Sequence, residues 1–161
     1  MEATIGAPLA AARREEAAGH LEALMVDLVS LSLNGKQAHW HVTGANFLPV
    51  HNQLDVLVAD VRVWADRVAE RAVALGIAVD ARPATIGDAN ILKEFPAGFV
   101  AATAAVTEIG HQVADVAGRA RATLEPLGEA DLVSQDLVIE IIHGLEQHLW
   151  MLQAQVVGGG A

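Results

Sequence analysis

Four residues with metal-binding side chains lie at helical spacing in the chain: His51, Asp55, Asp66 and Glu70. They form two pairs, His51 with Asp55 and Asp66 with Glu70. The two side chains of each pair are four residues apart, so on one helix they share a face at adjacent turns. Each pair could therefore bind one ion. Imidazole and carboxylate together are the mixed nitrogen and oxygen ligands that suit iron and similar divalent metals. The pattern predicts metal chemistry.

The separation of the two pairs excludes a site that uses both within one chain. His51 and Asp66 are 15 residues apart, which is about 22 Å of helix at about 1.5 Å per residue. A bond from a ligand atom to a first-row metal is only about 2 Å long. If both pairs serve one site, a second copy of the chain must run antiparallel across a two-fold axis and bring its own pair to the first.

Asp66 and Glu70 also have an ordinary structural interpretation. Arg62, Arg67 and Arg71 are close by on the same predicted helix. Carboxylates and guanidinium groups three or four residues apart commonly form ion pairs on a helix surface. This alternative stays open from the spacing alone.

His39 and Trp40 come at the end of the preceding predicted helix. A cationic histidine there can cap the last carbonyl groups, and a tryptophan can fill the core. With the two pairs, however, His39 completes a set of two imidazoles and three carboxylates, which is a ligand set suited to iron. The sequence favours an iron site built from His39, His51, Asp55, Asp66 and Glu70. Trp40 is expected in the core beside it.

Two Glu-x-x-His motifs, Glu108 to His111 and Glu140 to His143, suggest an alternative metal site. Such motifs build di-iron sites inside four-helix bundles when both residues point inward. Here each motif lies on a polar stripe beside the apolar positions of its helix. Both motifs are therefore expected to face solvent.

Composition indicates a chain that assembles with itself. It has 161 residues, enough for one domain, and 53% of them are hydrophobic, with a mean hydropathy of +0.35. No run of about 18 apolar residues is present to span a membrane, so the apolar surplus indicates oligomer interfaces. The first residues lack a basic region followed by an apolar stretch, which predicts a cytoplasmic protein. Because cysteine is absent, any metal must be bound by histidine and carboxylate.

The net charge of −10 favours attraction of cations and opposes binding to phosphate groups. Plain solubility is the other explanation of the same charge.

Apolar periodicity predicts four long helices, over residues 13–41, 46–75, 99–124 and 131–156. In the first, the inward stripe contains Leu21, Leu24, Leu28, Leu31 and Ala38. In the third, the stripe is expected to start at Phe99 and Thr103, and Pro126 with Gly128 should end the helix. Residues 77–98 form a long connection with one short helix near 86–93. No segment has the alternation of a strand.

Four helices with one long crossover predict an all-α, ferritin-like four-helix bundle. The expected domain covers residues 13–157, preceded by a flexible tail over 1–12 and followed by a Gly-rich tail over 158–161.

Motifs over most of the chain resemble those of the Dps family, the DNA-binding proteins from starved cells within the ferritin superfamily. They are Lys36-Gln-Ala-His39-Trp40, Gly44-Ala-Asn-Phe47, His51, Asp55, Asp66-x-x-x-Glu70-Arg71-x-x-x-Leu75-Gly76 and Leu149-Trp150-Met-Leu152. The ordered set over residues 36–76 is specific to that family.

The resemblance implies a hollow homo-oligomeric shell, a dodecamer, with ferroxidase centres at its two-fold interfaces. His39, His51 and Asp55 would come from one chain, and Asp66 with Glu70 from its neighbour. In such proteins Fe(II) is oxidised, preferably by hydrogen peroxide, and ferric mineral is stored inside the shell, which protects the cell from oxidative damage. Trp40 would lie beside the centre and intercept stray oxidising equivalents.

The resemblance also implies acidic pores at three-fold axes, where Glu129, Asp131 and Asp136 fit. Acidic residues at a helix N-terminus are otherwise explained by the helix dipole.

The alternative function, compaction of DNA with little redox activity, is disfavoured by composition. Residues 1–12 contain no lysine or arginine and neither do the residues after Trp150, whereas each phosphate contact needs a cation.

Overall fold

The computed structural model describes residues 9–156. In chain order the elements are α1 (Ala11–His41), β1 (Val42–Thr43), α2 (Phe47–Ala74), α3 (Pro83–Ala89), β2 (Val100–Ala101), α4 (Ala102–Ala122), α5 (Leu124–Ala130) and α6 (Leu132–Val156). The four long helices pack as a bundle, with α1 against α2 and α4 against α6. The predicted fold class, a four-helix bundle with a short helix in the long crossover, is confirmed.

The core is built from the apolar stripes that the sequence indicates. The five inward positions predicted for α1, from Leu21 to Ala38, are all buried. Gly35 lets α2 approach closely, because a Cβ atom there would lie 2.8 Å from Cγ2 of Val58. None of the helices between residues 9 and 156 is both long enough and apolar enough to cross a membrane.

The predicted start of the third long helix is wrong. Phe99 is 81% exposed and precedes α4, and Thr103 also faces outward. The reason is a short parallel strand pair that the sequence did not indicate, in which Val42 pairs with Val100. Gly98, with a φ of +82°, turns the chain into this pair, a conformation that glycine adopts readily. The pair joins the end of α1 to the start of α4.

The crossover helix also lies earlier than predicted, at residues 83–89 instead of 86–93. It begins at Pro83, where the fixed φ suits a first helical turn and the missing N–H is not needed. Asp80 stabilises the first turn of this helix, because its carboxylate accepts hydrogen bonds from Thr85 Oγ1 at 2.8 Å and from the backbone N–H of Arg82 at 3.0 Å. The extended backbone of Asn90 ends the helix.

A second short helix, α5, follows α4 where the sequence predicted only a break. Pro126 is its third residue, and a proline in a first turn removes an N–H that would have no partner in the helix. Pro126 therefore belongs to the first turn of α5, in addition to being a residue that cannot continue α4. The α5 helix leads directly to Asp131, the residue before the first turn of α6.

Candidate metal centre

His39 and His51 form a stacked pair where α1 ends and α2 begins. Their ring centroids are 3.7 Å apart, with 22° between the planes. Nδ1 of His39 lies 2.9 Å from the carbonyl oxygen of His51, and Nδ1 of His51 lies 2.9 Å from the carbonyl oxygen of His39. A carbonyl oxygen can only accept, so each Nδ1 carries a proton, and in the neutral form of each ring the lone pair that can bind a metal is on Nε2. The two helices thus fix both the orientation and the tautomer of these imidazoles.

Asp55 lies one turn after His51, and its Oδ1 is 3.9 Å from Nδ1 of His39. The same oxygen is ion-paired with Lys36. The hydrogen bond from Lys36 lowers the pKa of Asp55, so this carboxylate is ionised near neutral pH. The structure therefore brings His39, His51 and Asp55 to one end of the α1–α2 hairpin.

Asp66 and Glu70 lie on the exposed side of α2 and form no ion pair or side-chain hydrogen bond within residues 9–156. The arginines that could have paired with them reach α6 instead. Arg67 binds both oxygens of Glu140, at 2.8 and 2.6 Å, and Arg71 binds Asp131 at 2.6 Å. The local ion-pair interpretation is therefore wrong for Arg67 and Arg71.

Neither group of residues forms a complete metal site in the single chain. Within residues 9–156, no three histidine, aspartate or glutamate side chains are placed so that they could hold one ion. The structure thus contains two separate groups of candidate ligand residues on one helical hairpin, at different positions along α2.

Comparison with known proteins assigns the family. Residues 18–158 match the family model of the Ferritin-like domain. The DNA protection during starvation protein of Mycolicibacterium smegmatis is 33% identical over 130 residues, which cover 81% of this chain and 71% of that protein. The Dps of Microbacterium arborescens, solved in a high-iron form, superposes with a TM-score of 0.89 at 34% identity, over 94% of this chain and 99% of that one. The chain belongs to the Dps family.

Another similar protein carries a different name. The fine tangled pili major subunit of Haemophilus ducreyi is 33% identical over 148 residues, covering 89% of this chain and 78% of that protein. The sequence similarity of this chain therefore extends to a protein that is named as a pilus subunit.

The prediction that Trp40 lies in the core of this Dps chain is wrong, because its side chain is 63% exposed. Its neighbour His39 is buried. Consecutive residues on a helix point about 100° apart, so when His39 faces the α2 helix, Trp40 faces away from it. Trp40 is thus a surface residue of the single chain, one residue from the histidine pair.

Of the three acids predicted to line a Dps pore, Glu129 and Asp136 are exposed, whereas Asp131 is 7% exposed. Asp131 caps α6 by accepting from the backbone N–H groups of Ser134 and Val133, at 3.1 and 3.3 Å. Burial raises its pKa, but the hydrogen bonds from Ser134 and Arg71 outweigh burial and lower it. Asp131 therefore has a structural role that its position near the start of a helix could have indicated.

The rival Glu-x-x-His motifs face outward, as predicted. His111, Glu140 and His143 are exposed, and Glu108 is half-buried. Glu140 is paired with Arg67, so the two motifs do not converge inside the bundle.

The ion pair of Lys36 with Asp55 beside the two histidines was not predicted from the sequence. The available signal was the position of Lys36 three residues before His39, which places both on one face of α1.

Proposed function

We propose that this Dps protein is a ferroxidase and an iron store, in which centres shared between two copies of the chain oxidise Fe(II). One copy supplies His39, His51 and Asp55, and the other supplies Asp66 and Glu70. The observation that supports the proposal is that, within residues 9–156, the chain places His39 and His51 with both Nε2 atoms unbonded near the start of α2, and Asp66 and Glu70 without ion-pair partners farther along it. A two-fold axis is the simplest symmetry that joins them.

The chemistry follows from the ligands and the substrates. Carboxylates favour Fe(III), and imidazoles bind iron without adding charge. Two Fe(II) ions give up one electron each, hydrogen peroxide accepts both electrons, and its O–O bond breaks to give two hydroxide ions. Because both electrons are transferred, no hydroxyl radical is released. The ferric product is stored as mineral in a hollow dodecamer in the cytoplasm.

Size-exclusion chromatography with iron detection tests this function. Anaerobic protein is given Fe(II), then hydrogen peroxide, and is applied to the column. We expect iron to elute with a large closed assembly and to remain in solution. A monomer or simple dimer, with iron precipitating as it does in buffer alone, would contradict the proposal.

We also propose that Glu129 and Asp136 guide iron into the shell, while Asp131 caps α6. The change to Glu129→Gln with Asp136→Asn should slow iron uptake by about threefold or more at low ionic strength, because the acids steer a dication and salt screens that steering. Uptake is measured by stopped-flow absorbance at two salt concentrations. A control variant with Glu15→Gln and Glu16→Gln carries the same charge change elsewhere, and equal slowing in both variants would exclude a pore role.

We expect this chain not to bind DNA tightly at neutral pH and moderate salt. The net charge is −10, and Arg14 is engaged inside the fold, where its Nη1 donates to the carbonyl oxygen of Leu75 at 3.2 Å. A gel-shift titration with plasmid checks this. A tight shift that weakens steeply as salt rises would reveal phosphate contacts and would favour the alternative function, DNA compaction.

A further inference from the structure

Arg67 and Glu140 form a bidentate ion pair that joins α2 to α6. Nη1 and Nη2 of Arg67 donate to the two carboxylate oxygens of Glu140, at 2.8 and 2.6 Å. Two parallel hydrogen bonds fix the direction of the guanidinium group as well as its distance. They also hold the pKa of Glu140 below its usual range, so this carboxylate is ionised at neutral pH. The positive charge of Arg67 is therefore neutralised on the side of α6.

The position of Arg67 on α2 connects this ion pair with the candidate metal ligands. Arg67 directly follows Asp66 and precedes Glu70 by three residues. Side chains three residues apart are neighbours on a helix surface, where an arginine and a glutamate commonly pair. Within residues 9–156, however, Glu70 is exposed and forms no ion pair. Because Arg67 is bound across the bundle instead, Glu70 stays open to a cation from solution.

We propose that Glu140 is a positioning residue for the shared centre, which acts through Arg67 to keep Asp66 and Glu70 available to the metal. Glu140 belongs to a Glu-x-x-His motif whose residues do not converge on a metal inside the bundle. Its carboxylate instead binds the guanidinium group that would otherwise lie beside the two ligands. This inference rests on the proposed ferroxidase function.

Charge and exposure determine the size of the effect. A free guanidinium group repels a dication twice as strongly as it repels a monocation at the same distance, and it competes with the metal for Glu70. The side chains of Arg67 and Glu140 are 39% and 61% exposed, so water and salt screen these charges. We therefore expect a change of several-fold in metal affinity, which decreases as the salt concentration rises.

Binding of Co(II), which is not oxidised under anaerobic conditions, tests the inference without relying on ferroxidase activity. Anaerobic protein is titrated with Co(II) at low and at high salt, and binding is followed by visible absorption and calorimetry. We expect Glu140→Gln to bind Co(II) about fourfold more weakly than the unchanged protein at low salt. The difference should be smaller at high salt.

Glu146→Gln is the matched control. Glu146 also lies on α6, and it is ion-paired with an exposed arginine, Arg121 of α4. This variant therefore loses the same charge and the same kind of contact, but the arginine that it releases is not on the helix that carries Asp66 and Glu70. Its Co(II) affinity should stay within about twofold of the unchanged protein. Equal weakening in both variants would show that only the overall charge matters.

A double-mutant cycle with Arg67→Gln identifies the side chain through which Glu140 acts. Arg67→Gln alone should bind Co(II) within about twofold of the unchanged protein, because the charge that it removes is already neutralised. In this background Glu140→Gln should have little further effect. Arg62, the other arginine close to Asp66, is the same in every variant. Chromatography and circular dichroism should show unchanged assembly and helix content.

Several results would overturn the role of Glu140. They are Co(II) binding by Glu140→Gln as tight as that of the unchanged protein, the same weakening by Glu146→Gln or in the Arg67→Gln background, and a weakening that does not decrease at high salt. Failure of the proposed function has a different signature. In that case the unchanged protein does not bind Co(II), or its binding survives Asp66→Asn with Glu70→Gln, and both proposals fall together.

Discussion

Replacing Asp66 by asparagine and Glu70 by glutamine in one variant should lower the initial rate of Fe(II) oxidation about 100-fold. The amides have almost the same shape as the carboxylates, but they lose the charge that stabilises Fe(III) over Fe(II). Fold and assembly should be unchanged, because neither side chain forms an ion pair or side-chain hydrogen bond within residues 9–156. The rate is measured by stopped-flow absorbance of the ferric product.

The matched control is the variant with Glu15→Gln and Glu16→Gln, which removes two exposed carboxylates at the start of α1. It should oxidise Fe(II) at nearly the unchanged rate. If both variants lost activity equally, only the overall negative charge would matter, and Asp66 and Glu70 would not be ligands. Full activity in the first variant would remove them from the centre altogether.

Gly144→Ala should destabilise the protein by about 2 kcal/mol, although alanine is normally the better helix former. A Cβ atom at Gly144 would lie 2.7 Å from Cη2 of Trp64 and closer still to Cζ2. The rigid indole cannot move freely, since its ring packs edge-on against His148, which is itself bonded to Asp60 at 2.8 Å. The clash therefore disturbs the whole contact between α2 and α6.

Gly118→Ala provides the control for this prediction. Gly118 lies on an exposed position of α4, and a Cβ there would meet nothing within 4 Å. This change should stabilise the protein by about 1 kcal/mol through helix propensity alone. Thermal unfolding of the two variants should shift in opposite directions, and stabilisation by both would show that Trp64 does not need the space at Gly144.

The fold was predictable because the apolar spacing of each long helix is regular. The stripe from Leu21 to Ala38 is buried as the periodicity requires. Trp40 lies off this stripe, two residues after Ala38, so the helix exposes it even though its residue type is common in protein cores. The prediction that Phe99 starts the third long helix was wrong because the chain there pairs with a distant segment. Val42 pairs with Val100, which is 58 positions away in the sequence, and no local pattern indicates such a pairing.

Candidate ligands were predictable from residue type and spacing, but their partners were not. Local spacing assigns Arg67 and Arg71 to the acids of their own helix, whereas the structure assigns them to Glu140 and Asp131 across the bundle. Likewise, the contact between Lys36 and Asp55 depends on how α1 and α2 are aligned. Such contacts require the tertiary arrangement of helices, which single-helix patterns do not encode.

Mixed reassembly tests most directly whether the centre is shared between chains. One variant lacks His39 and His51, and a second lacks Asp66 and Glu70, so each alone should be nearly inactive. After the two are unfolded, mixed in equal amounts and reassembled, a two-fold pair of unlike chains contains one complete centre. Random pairing should then restore roughly a quarter of all centres, with a matching fraction of the Fe(II) oxidation rate. Activity no higher than the mean of the two parents, in assemblies verified to contain both chains, would contradict a centre shared across the two-fold axis.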